Sequence, residues 1–237
     1  MFMKKISTFV VRKKYALIAL VLLSLICLCI FLSRFSTSSP KHSYTIVIDA
    51  GHGGIDGGSV GVTTGADENH LNLDYAKCLK AHFENFGFNV VLTRSTLDGL
   101  YSPLAKNKKK DDMQKRKEII EKSNADFVIS IHMNSFPTRS ARGAQVFYNK
   151  DNQAGKEFAS SIQNKLIDNI PNAKKTCASG DYFIVNCTSL PAVIVECGYL
   201  SNPEEDVLLS TKEHRELICY SIFTGTMDFI GSTAQAL

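Results

Sequence analysis

His52, Glu68, His132 and Glu196 are the residues whose types and settings point most directly to chemistry. His52 follows the run TIVIDAG, His132 closes FVISIH and Glu196 closes AVIVE, while Glu68 stands where the glycine-bearing loop GVTTGADE meets an amphipathic segment. Two imidazoles and one carboxylate form a donor set for catalytic zinc, which takes three protein ligands and keeps a fourth position for water. That chemistry assigns the metal to His52, Glu68 and His132. Glu196 places a charge at the end of an apolar strand, where desolvation is costly without a partner. Taken singly, each residue has a plainer reading. A histidine at a strand end is usually a hydrogen-bonded surface group, and a glutamate entering a helix favours the helix dipole. No HExxH, HxxE or CxxC spacing ties the four together.

For these residues to meet, the runs that carry them must lie side by side. TIVID is a compact β-branched run that predicts a buried parallel strand feeding a glycine loop. From Asn69, the apolar positions Leu71, Tyr75, Leu79, Phe83 and Phe86 keep helical spacing, and Gly87 supplies the stop. Further strands are expected at 88–93, 127–132, 144–148, 182–185 and 192–195, with helices near 113–123 and over 152–170. Asn202 and Pro203 read as an N-cap and first helical position, with Glu204 and Glu205 suited to the dipole. This alternation predicts an α/β fold, a mostly parallel twisted sheet flanked by helices on both faces. Ligands gather beyond the carboxyl ends of such strands.

Around the four central residues, Asp49 is placed to orient a ligand histidine, and Asn134 to bind substrate or brace the site; Arg94 is a further candidate. His70 reads as a helix surface residue. Gly53, Gly54, Gly57 and Gly58 let the loop after His52 approach a bulky ligand, although turn geometry alone also accounts for such glycines. The lysine-rich stretch from Lys106 to Asp112 reads as a solvated loop.

Residues 1–41 hold seven of the 27 Lys and Arg and none of the 23 Asp and Glu, leaving 20 bases against 23 acids beyond them. The globular part is mildly acidic, so nucleic acid is not an expected partner. Residues 15–33, YALIALVLLSLICLCIFLS, are long and apolar enough to cross a bilayer as a helix. The basic residues of 1–14 keep that end in the cytoplasm, and the sequel SRFSTSSPKHS offers no convincing small-x-small cleavage site. The expected organisation is a cytoplasmic segment (1–14), a transmembrane anchor (15–33), a polar linker (34–43) and a catalytic domain (44–237) on the extracytoplasmic side of the cell membrane. Five cysteines fall in that domain, an odd number that suggests free thiols and leaves a Cys177–Cys187 pair open.

Read whole, three blocks carry a specific resemblance: IVIDAGHGGIDGGSVGVTTGADENHLNLDYA, then NADFVISIHMNS with GAQVFY, then PAVIVECGYLSNPEE. Together they resemble the zinc-dependent N-acetylmuramoyl-L-alanine amidases of the amidase 3 family, over residues 44–230. The resemblance implies zinc held by His52, Glu68 and His132, with Glu196 as the catalytic acid/base. It implies peptidoglycan as substrate and an activating protein partner, since related amidases are commonly switched on by one. Asn69 stands where the family usually has Lys, and Cys197 where a small or apolar residue is usual; neither change touches an implied ligand. The anchored amino terminus, the GAQVFYNK segment and the lack of wall-binding repeats are most similar to the germination-specific amidases of spore cortex, which prepare the muramic lactam. Two other readings stand beside that one: a vegetative or division autolysin of the same specificity, and a non-catalytic zinc-containing peptidoglycan receptor. A receptor has little need of a carboxylate at Glu196.

Overall fold

The computed structural model describes residues 20–27 and 43–235. Residues 20–27 are helical (α1) with exposed side chains, and the rest of the 15–33 apolar segment lies outside the described residues. Among the described residues, no helix is long and apolar enough to cross a membrane.

From Ser43 onward the chain forms one compact unit around a six-stranded sheet ordered β2-β1-β3-β6-β4-β5. The strands are β1 (Thr45–Ala50), β2 (Asn89–Leu92), β3 (Phe127–Asn134), β4 (Gln145–Tyr148), β5 (Ala178–Ser179) and β6 (Ala192–Tyr199). The helices are α2 (Glu68–Asn85), α3 (Lys108–Lys122), α4 (Gln153–Asn169), α5 (Phe183–Asn186), α6 (Pro203–Leu209) and α7 (Lys212–Gln235). β1, β2, β3 and β6 run parallel, whereas β4 runs antiparallel to β6, so the sheet is mixed.

Alternation along the strands sorts side chains onto two faces. Ile46, Ile48, Ile129, Ile131, Val193 and Val195 face the larger core, built with Leu79 of α2, Phe158 of α4 and Ile222 of α7. Val47, Val128 and Ile194 face a smaller core closed by Ile120 of α3 and by Ile184 and Val185 of α5. Strands buried on both faces account for the nearly unbroken apolar runs in the sequence.

Two elements differ from expectation. Residues 182–185 are not a strand: Phe183–Asn186 forms a helical turn. A strand would send the neighbours Ile184 and Val185 to opposite faces, whereas the helical turn lets both enter the smaller core. The lysine-rich stretch is not wholly a loop either. Asn107 caps α3 by accepting a hydrogen bond from the Lys110 N–H, so Lys108, Lys109 and Lys110 form the helix's first turn.

Candidate active site

β1, β3 and β6 bring three of the four residues to one sheet edge. The parallel ladder pairs His132 with Glu196, so both side chains leave the sheet on the same face. The register shifts just beyond that pair, and such irregularities re-aim side chains beside active sites.

His52 follows β1 with a φ of 61°, a left-handed conformation costing a non-glycine residue about 1–3 kcal/mol. Buried Arg116 from α3 holds it there. Its Nη2 donates to the His52 carbonyl at 2.6 Å, its Nη1 to the Ala50 carbonyl at 2.7 Å and to Asp49 Oδ1 at 2.6 Å, and its Nε to Asp112 at 2.6 Å. Arg94 clamps the same turn, donating to the carbonyls of Ala50, Gly51 and Asn69 at 2.9, 2.8 and 2.8 Å. Gly51 is required by close approach, because a Cβ there would fall 2.3 Å from the His132 ring.

Glu68 opens α2 and is buried among donors. Its Oε2 accepts from the Ser59 N–H at 2.8 Å, and its Oε1 from the Met133 N–H at 3.2 Å and from Asn72 Nδ2 at 3.3 Å. Onto that same Oε1 converge His52 Nε2 at 3.0 Å and His132 Nδ1 at 3.2 Å. Gly58 permits this packing, since a Cβ there would sit 2.5 Å from the Glu68 carboxylate. The loop that delivers Glu68 is tied to α6 by buried Asp206, which accepts from the Thr63 and Thr64 N–H groups at 2.6 and 2.8 Å. Burial by itself would raise the pKa of Glu68, but hydrogen bonds and positive charge from His132 and His52 hold it well below the usual carboxylate range. Burial lifts Glu196 to about 7 against the pull of His132, with the negative charge of Glu68 adding to the rise. Among the described residues, Glu196 Oε2 has no hydrogen-bond partner.

These groups line a cleft of about 810 Å³ whose walls include Ile55, Tyr101, Lys109, Asn134, Tyr182 and Phe183. The donor atoms of His52, Glu68 and His132 lie within 4.8 Å of one another, a spacing able to hold a metal ion. One ionised carboxylate, two imidazoles and a second carboxyl poised near neutrality can together bind a cation and move a proton.

Asp49 does not orient a histidine directly. It accepts from Thr93 Oγ1 at 2.7 Å, Ser130 Oγ at 2.6 Å and Arg116, so it acts on His52 through the Arg116 clamp. The carboxylate on the other side of the His52 ring from Glu68 is Asp56, with Oδ1 3.0 Å from Nδ1; it sits four residues on in the glycine loop, a spacing not singled out in the sequence. Arg116 was also not singled out. Asn134 lines the cleft and accepts from the Ser135 N–H, and His70 is exposed as expected. Cys177 and Cys187 are free thiols.

Asp49 also gives the clamp a pH signature. Burial raises its pKa, but the Arg116 charge and hydrogen bonds from Ser130 and Thr93 bring it from 3.8 to about 2. A carboxylate depressed in the folded state contributes stability that is complete above its unfolded pKa and lost as pH falls through its folded one. Here the contribution is on the order of 2 kcal/mol. The urea midpoint of the wild type is expected to fall between about pH 5 and about pH 2, and that of Asp49→Asn to fall less steeply. Equal slopes would show that another group carries the acid sensitivity.

A family model described as N-acetylmuramoyl-L-alanine amidase matches residues 46–227. The germination-specific N-acetylmuramoyl-L-alanine amidase of Bacillus subtilis is 31% identical over 230 residues, covering 92% of this chain and 96% of that protein. LytC, an N-acetylmuramoyl-L-alanine amidase of the same organism, is 28% identical over 81% of this chain, which spans 36% of LytC. Among solved structures, the CwlD amidase of Clostridioides difficile, in complex with the GerS lipoprotein, superposes with a TM-score of 0.77 at 34% identity over 80% of this chain and 100% of that one. On sequence and fold together, the chain belongs to the N-acetylmuramoyl-L-alanine amidase family, hydrolases that cut the amide bond between N-acetylmuramic acid and L-alanine in peptidoglycan.

Proposed function

We propose that His52, Glu68 and His132 hold a catalytic zinc ion, that Glu196 carries the proton, and that the enzyme acts on spore cortex. The observation behind the chemical part is the convergence of two imidazole nitrogens on one buried carboxylate oxygen, at 3.0 and 3.2 Å, with the partnerless Glu196 Oε2 on the same strand edge. The donor set suits zinc: neutral imidazoles, an ionised carboxylate and no thiol. Zinc bound there supplies a Lewis acid for the scissile carbonyl and lowers the pKa of water toward about 7.

The chain's own residues do the rest. Glu68 stays ionised because its neighbours donate to it, and the Arg116 and Arg94 clamps keep His52 aimed at it. Glu196, with its pKa lifted to about 7, accepts a proton from the attacking water and returns it to the departing alanine nitrogen. Tyr101, Tyr182 and Phe183 offer aromatic surface to the sugar and peptide stem.

The cortex assignment is supported by likeness over nearly the full chain to the germination-specific B. subtilis amidase. A lipoprotein-like protein partner is supported by the complex in which the CwlD amidase was solved. Residues 15–33 would anchor the enzyme with its domain outside the cell membrane. Expressed in a spore-former lacking its own germination-specific amidase, the chain is expected to restore muramic lactam to the cortex. If the cortex still lacks the lactam while peptidoglycan is cleaved in growing cells, the vegetative autolysin reading replaces this one.

A further inference from the structure

A second group of metal-ligating side chains lies where α2 packs against α7. Cys78 and His82 are four residues apart on α2, so both project from one face of the helix. Glu216 faces them from α7, with His82 Nε2 3.2 Å from Glu216 Oε2. The donor atoms of Cys78, His82 and Glu216 lie within 4.8 Å of one another. The His82 ring is held in place by Phe223, stacked at 6.0 Å, and by Tyr220 at 6.5 Å. Cys219 follows Glu216 by three residues on α7; its Sγ donates to the Tyr75 carbonyl at 3.4 Å and lies beside Cys78. Paired ligands at such spacings on facing helices are how helical proteins build metal sites.

We propose that Cys78, His82 and Glu216 form a second zinc site, separate from the catalytic cleft, that clasps α2 to α7. In a tetrahedral zinc site with bonds of about 2.0–2.3 Å, ligand atoms stand roughly 3.3–3.8 Å apart, so small side-chain rotations close the group around an ion. Thiolate, imidazole and carboxylate together favour zinc over magnesium or calcium, which prefer all-oxygen sets. The ion can enter from solvent, since the His82 and Glu216 side chains are 27% and 49% exposed. Ten residues separate Cys78 from Glu68 on α2, about 15 Å of helix. The clasp therefore supports the helix that presents Glu68 and does not share its ion. Binding to the folded state alone raises thermal stability by mass action.

Cobalt distinguishes the sites, because the His52, Glu68 and His132 set contains no sulfur. The full-length chain in detergent, metal-depleted and titrated with Co(II), is expected to develop a near-ultraviolet thiolate-to-cobalt band. The band should persist in His132→Ala and disappear in Cys78→Ser. Zinc should likewise raise the melting temperature of His132→Ala but no longer that of a doubly substituted His132→Ala/His82→Ala chain. Cys78→Ser and His82→Ala on their own should keep wild-type amide hydrolysis. A cobalt-loaded wild-type chain without the thiolate band overturns the proposal even if every variant fails to fold. Thiol titration showing Cys78 joined to Cys219 in a disulfide overturns it equally.

Discussion

Glu196→Gln is expected to lower kcat for muramoyl-alanine amide hydrolysis by about 10²- to 10⁴-fold while leaving KM nearly unchanged, the range for loss of a general acid/base. Gln keeps the shape of the side chain and removes its ability to take up and return a proton. The setting of Glu196 supports the proposed proton exchange. The residue lies beside His132 in the ladder, is buried enough for its pKa to reach about 7, and has an Oε2 that no group among the described residues satisfies. A residue serving only packing would not be left in that state, because a buried polar atom without a partner costs about 1–3 kcal/mol. Steady-state assays counting new L-alanine amino termini check the expectation, and near-normal turnover in the variant would remove Glu196 from the chemistry.

The second large effect is expected from His132→Ala. Altering groups that merely support metal ligands costs about 10- to 100-fold in metal affinity or activity, and removing a ligand costs more. Hydrolysis should fall at least as far as in Glu196→Gln, and here zinc should leave the cleft as well. His70→Ala is the matched control: an exposed histidine on α2, two residues from Glu68, whose loss should change neither property. Full zinc occupancy of the cleft in His132→Ala would show that His132 is not a ligand.

Much of this site was legible because the strands that carry it are buried on both faces. TIVID, FVISIH and AVIVE read as apolar runs that stop at a polar residue; in the fold His132 and Glu196 lie in the carboxyl-terminal halves of β3 and β6, and His52 lies just beyond β1. The start of α6 was equally readable: Asn202 Oδ1 accepts from the Glu204 and Glu205 N–H groups just where Pro203 begins the helix. Local rules failed where tertiary context decides. Tyr182 to Val185 has strand composition, yet packing turns it into a helix; β5 has two residues, too few to leave a pattern. Residues 212–235 leave no clear helical signature in the sequence, because α7 carries no sharp apolar stripe: buried Ile218, Cys219 and Ile222 stand near exposed Leu217 and Tyr220. Arg116 was invisible for a different reason. An arginine in the run KRKEIIEK looks like solvated charge, and only the fold shows it buried, turned to the Asp49 carboxylate and the His52 carbonyl.

Anomalous diffraction at the zinc edge, from crystals grown with zinc, tests the central claim most directly. The expected result is an anomalous peak in the cleft within about 2.0–2.2 Å of one donor atom each from His52, Glu68 and His132, with Glu196 outside bonding distance. A cleft without that peak, or a peak bonded to Glu196 in place of one of the three, would contradict the account.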